Sequence, residues 1–124
     1  MVVDHELGDL EMMCRALRRD GYKAFPASGF LAGINTFGLH QGDIELVVAA
    51  VALPTSNGCV LAKRMLGMNP NLKVLFVSAT SGAEVCRFHG MLGPGLHFLE
   101  KPLQREEFIR MVRLIMEEAA SASA

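Results

Sequence analysis

At 124 residues the chain fits one domain with a single sizeable core; half its residues are hydrophobic and a fifth are charged, which excludes a disordered or fibrous chain. Lys plus Arg number 12 against 13 Asp plus Glu, so no general attraction to nucleic acid or to an anionic membrane is expected. No apolar run approaches the roughly 20 residues of a membrane span, and Asp4 interrupts what would be the apolar stretch of a signal peptide; the expectation is a cytoplasmic protein.

Met1 to Val3 is the stump of an apolar strand ending on Asp4-His5-Glu6. From Asp9 to Arg19, Leu10, Met13, Cys14 and Leu17 recur at helical spacing. Asp20-Gly21 stops that helix, and Tyr22 to Ala27 reads as a strand whose Pro26 marks a sheet edge or a strand end. Phe30 to Leu39 predicts a second helix using Leu31, Ile34 and Phe37 inward, weakened by Gly33 and Gly38. Leu46 to Val51 is a continuous apolar run without polar alternation, as a parallel strand covered on both faces requires.

A turn with Pro54 and Asn57-Gly58 leads into a short helix over Cys59 to Leu66. Asn69-Pro70-Asn71 breaks it, and Lys73 to Val77 forms another buried strand. After a loop from Ser78 to Gly82, a helix is expected over Ala83 to Met91 with Val85, Phe88 and Met91 inward. Gly93-Pro94-Gly95 precedes a short strand, Leu96 to Leu99, which Lys101-Pro102 closes. Glu106 to Glu118 is the last helix, with Phe108, Ile109, Val112, Ile115 and Met116 as its stripe, so that the domain spans 1–118. Residues 119–124 read as a frayed tail or the start of a linker.

Cys14, Cys59 and Cys86 are widely spaced among apolar residues, which reads as reduced core thiols rather than a disulfide framework or a metal site. The eight methionines read as core filler.

Strands alternating with helices predict an α/β fold, a doubly wound five-stranded parallel sheet with five helices in three layers, α/β/α. Functional loops in such a sheet collect at the carboxyl ends of the strands. Those ends carry Asp4-His5-Glu6, then Ala50 to Pro54 with Asn57-Gly58, then Ser78-Ala79-Thr80, then Glu100-Lys101-Pro102. A carboxylate, a hydroxyl and a lysine on one rim suit an oxyanion or phosphate, and carboxylates suit a metal. Each residue alone is ordinary: a lone lysine at a strand end is usually solvated, and a lone serine usually caps a loop. Their joint order along four strand ends is the signal.

Over essentially its whole length the chain resembles the receiver domains of bacterial response regulators. The resemblance rests on Val2 to Glu6, Leu53-Pro54 with Asn57-Gly58, Lys73 to Ala79 and Phe98 to Pro102. It implies strand order 2-1-3-4-5. It further implies an acid pair for Mg²⁺ at Asp4 and His5, a phosphoacceptor at Ala50, phosphate and switch contacts at Ser78, Phe98 and Lys101, and a cis bond at Lys101-Pro102. Two departures follow from the residues themselves. Alanine at position 50 offers neither a nucleophilic oxygen nor a metal ligand, and His5 replaces the second acid, so no cofactor is expected and Mg²⁺ binding should be weak or absent. Asp43 and Asp9 lie elsewhere, and Thr55 and Ser56 lack an activating base, so none is a good replacement.

The first functional expectation is therefore a pseudo-receiver in phosphorelay signalling, not an enzyme, acting by protein contact with a histidine kinase or another signalling protein. A homodimer through the last helix and last strand is a further expectation, and direct binding to nucleic acid or membrane is not expected. The second is a normally phosphorylated receiver seen as a designed Asp→Ala variant; His5 modestly favours natural loss. The third is a small flavodoxin-like nucleotide- or metal-binding protein. Against it, the loop after strand one offers Gly8 alone rather than a glycine-rich phosphate cradle.

Overall fold

Leu46–Ala50, five consecutive buried residues, forms the middle strand, β3, of a sheet covered on both faces. The computed structural model describes residues 1–79, 82–91, 93 and 95–123. Around β3 lie β1 (Val2–Val3), β2 (Pro26–Ala27), β4 (Lys73–Ser78) and β5 (Leu96–Glu100). The order is β2-β1-β3-β4-β5 and every pairing is parallel. The helices are α1 (Leu7–Arg19), α2 (Phe30–His40), α3 (Gly58–Met68), α4 (Gly82–Phe88) and α5 (Arg105–Ser123). This is the expected doubly wound architecture.

The helices pack in adjoining pairs. Helix α1 lies against α5, α2 against α3, and α3 meets α4. The stripes read from periodicity face inward: Leu10, Met13, Cys14 and Leu17 on α1, and Phe108, Ile109, Val112 and Ile115 on α5 are buried. Phe76 on β4 and Phe37 on α2 are fully enclosed, as are Leu61 and Met65 on α3.

Several boundaries differ from the expectations. Strand β2 is two residues rather than six: Pro26 has no N–H to give, and before it only the Phe25 carbonyl joins the sheet edge, accepting from Val2 N at 3.0 Å. Helix α1 begins two residues earlier than expected, because the Asp4 carboxylate accepts the Glu6 N–H at 3.0 Å and turns the chain straight off the strand. On α2 Gly33 and Phe37 are buried and Ile34 packs against the core, while Leu31 is 70% exposed. Helix α4 stops at Phe88, which is 87% exposed rather than inward; Met91, beyond the helix, is the buried residue there. Helix α5 runs on through residues 119–123, in keeping with the strong helix propensity of alanine. Thr80 and Pro94, read above as loop residues, lie outside the described residues.

Candidate functional site

The carboxyl ends of the strands form one rim, as the topology requires. Asp4 follows β1 directly, and its side chain is completely buried. Its backbone N–H donates to the Ala27 carbonyl at 3.1 Å, and Oδ1 accepts from Glu6 N. That leaves Oδ2, which receives the ammonium of Lys101 at 2.9 Å from the far side of the rim. Lys101 Nζ lies 2.9 Å from Asp9 Oδ2 as well. Two carboxylates thus clasp one ammonium across 97 residues of sequence.

The lysine is held from behind. Its backbone N–H donates to the Ser78 carbonyl at 2.7 Å, which ties the end of β5 to the end of β4. The Lys101-Pro102 bond is cis, matching the expectation. Burial pulls the Lys101 ammonium down, but hydrogen bonds and charge from Asp4 and Asp9 more than offset that, so its pKa lies above the ordinary lysine value.

Ser78 is nearly buried. The first residue of α4, Gly82, presses on it: a Cβ at Gly82 would collide with the Ser78 side chain and come within 3.3 Å of Phe98 Cε2. Ala50 closes β3 opposite Val77 and is 3% exposed. The first residue of α3, Gly58, packs so closely there that a Cβ would run into the Ala50 carbonyl oxygen. Asn57 caps α3 by accepting Val60 N at 3.0 Å.

The structure therefore brings Asp4, Lys101 and the Ser78 backbone together, with Gly82 against the Ser78 side chain and Phe98 beside Gly82. It does not bring in His5 or Glu6. Those two side chains are exposed and face each other, His5 Nε2 lying 3.7 Å from Glu6 Oε1. The residue that sequence reasoning missed is Asp9. Its signal was present: an acid in the first turn of α1, close to the strand end, becomes legible once the helix is known to start at Leu7.

Mg²⁺ takes six oxygens in an octahedron, several of them water, and needs one or two carboxylates free to bind it. Here one Asp4 oxygen serves the Glu6 N–H and the other serves Lys101, Ala50 offers none, and His5 turns away. The residues present do not fit the ion. Among the described residues no three His, Cys, Asp or Glu side chains converge as a metal site, and no helix is long and apolar enough to cross a membrane.

No family model matches the chain. It is 22% identical over 117 residues to the chemotaxis protein CheY of Treponema pallidum, spanning 94% of this chain and 81% of that one. With the sporulation initiation phosphotransferase F of Bacillus subtilis it shares 24% over 107 residues, 86% of this chain and 84% of the other. Among solved structures, a CheY-like response regulator receiver domain from Methanospirillum hungatei superposes with a TM-score of 0.81 at 16% identity. That match covers 98% of this chain and 94% of the other.

Proposed function

We propose that this chain, a receiver domain of the CheY-like response-regulator kind to which its relatives and its fold belong, signals without taking phosphate at the end of β3. The observation that carries the reading is the Asp4–Lys101–Asp9 clasp beside Ala50. A fully buried carboxylate demands a counter-charge. With no acceptor aspartate and no fitting metal, the lysine supplies it from within the chain. The rim is thereby held in one arrangement by protein groups alone.

Regulation then comes from contact with another signalling protein in the cytoplasm, and the domain works as a module rather than an enzyme. The surface proposed for that contact is α4, β5 and α5, where Phe88 and Leu114 leave large apolar side chains exposed. A second copy of the chain is one partner this surface could take.

Acetyl phosphate with Mg²⁺, followed by intact mass, tests the reading. The chain is expected to gain nothing, whereas the Ala50→Asp/His5→Asp variant, which restores the acceptor and the second acid, gains one phosphoryl group. A stable phosphoryl group on the unaltered chain overturns the proposal.

A further inference from the structure

Beneath the rim, Cys59 on α3 and Cys86 on α4 bring their sulfurs within 3.3 Å, with both residues completely buried. The two are 27 residues apart in sequence, and neither motif spacing nor periodicity couples them. Cys14 is buried separately, under α1. We propose that Cys59 and Cys86 are a modification site: a low-molecular-weight disulfide oxidises them to an internal disulfide that ties α3 to α4.

Three observations support it. A disulfide bond of about 2.05 Å needs the sulfurs to close by little more than a single ångström. One partner sits on α4, a seven-residue helix, and helices this short are marginal without their packing. That makes α4 the element that opens to admit a reagent and then shifts to close the bond. The two thiols also differ: burial raises Cys86 above the ordinary cysteine value, and the hydrogen bond from Cys59 offsets part of that rise. Burial pushes the Cys59 thiol up to about 12, so it stays protonated while the domain is closed and acts second.

The chemistry balances in two exchanges. Opening of α4 exposes Cys86, which loses its proton to solvent and attacks one sulfur of the small disulfide, expelling the other half as a thiolate. Cys59 then loses its proton and attacks the Cys86 side of the mixed disulfide, expelling the second thiolate. Two electrons pass to the reagent, which leaves as two thiols. The bond would join two helices whose first residues, Gly58 and Gly82, rest on Ala50 and Ser78. Formation of the disulfide does not depend on how the rim signals.

The native chain is incubated with glutathione disulfide, and intact mass is combined with peptide mapping under non-reducing conditions. The expected result is loss of two hydrogens, a linked Cys59–Cys86 peptide, a free Cys14, and reversal by dithiothreitol. Cys14→Ala keeps the loss. Cys59→Ala stops at a glutathione adduct on Cys86, and Cys86→Ala forms neither product. No reaction of the native chain, adducts without an internal bond, or cross-linked dimers would each overturn the proposal, and the mapping of the unaltered chain decides it even where a variant folds poorly.

Discussion

Asp4 shows how little of a side chain's role its position alone decides. It sits at the end of an apolar run, buried, with one oxygen spent on the turn into α1 and the other on Lys101. Lys101→Met leaves that carboxylate without its counter-charge and is expected to cost about 3 kcal/mol, the lower end for breaking a buried pair, since Asp9 is partly solvated. Urea unfolding measures it. The pH dependence has a definite sign. The pKa of Lys101 is raised on folding, so its stabilisation is fully present below the ordinary lysine value of 10.5 and is lost as pH rises through the higher folded value. The gap between the chain and Lys101→Met should therefore be flat from neutral pH up to 10.5 and narrow above it, and a flat gap into stronger alkali contradicts the clasp. Asp4, Ser78 and Lys101 were legible because strand ends can be counted in a parallel sheet. Asp9 was not, because the direction of a helical side chain depends on where the helix begins, and the turn made by Asp4 moved that start.

Of the glycines, those with least room for a side chain are the first residues of α3 and α4, Gly58 and Gly82. Gly58→Ala pushes a methyl group into the backbone carbonyl of Ala50, which cannot yield without moving β3 or α3; Gly82→Ala meets both Oγ and Cβ of Ser78, and since rotation of that side chain moves only the oxygen, α4 or β4 must shift there too. Both are expected to destabilise, by about 1–3 kcal/mol, and denaturant midpoints of the two variants measure the loss; an unchanged midpoint in either contradicts the close approach. Strands β3 and β4 were readable because burial on both faces writes itself as an unbroken apolar run. Helix α2 was harder. It carries apolar residues on several faces, and packing chose Gly33, which lets Leu61 and Val3 approach, leaving Leu31 outside. On α4 the same ambiguity put Phe88 in solvent, since the helix ends there and Met91 fills the inward place from beyond it.

The whole molecule rests on the shared interior of the sheet. Phe76, at the middle of β4 between Ala49 and Phe98 in register, is completely enclosed. Phe76→Ala is expected to cost about 3–5 kcal/mol, a large part of the roughly 5–15 kcal/mol that holds an ordinary domain together. Calorimetry should show a broad fall in melting temperature, and a loss below about 1 kcal/mol would mean that the interior collapses around the gap. The fold was legible at this scale because alternation of strand and helix leaves few topologies open. The functional state of the rim depended instead on contacts between distant residues, which no local pattern records.

The clasp spans nearly the whole chain, since Asp4 precedes the first helix and Lys101 follows the last strand. Such a contact carries a loop-closure penalty that the intervening strands remove only once they have docked. During synthesis the acid therefore emerges long before the base that neutralises it. A chain cut short of β5 carries Asp4 at a position that the finished sheet buries, with no cation to match. The first strand's acid thus makes the integrity of the rim conditional on the arrival of the last strand, and a truncated product is marked by its own unbalanced charge.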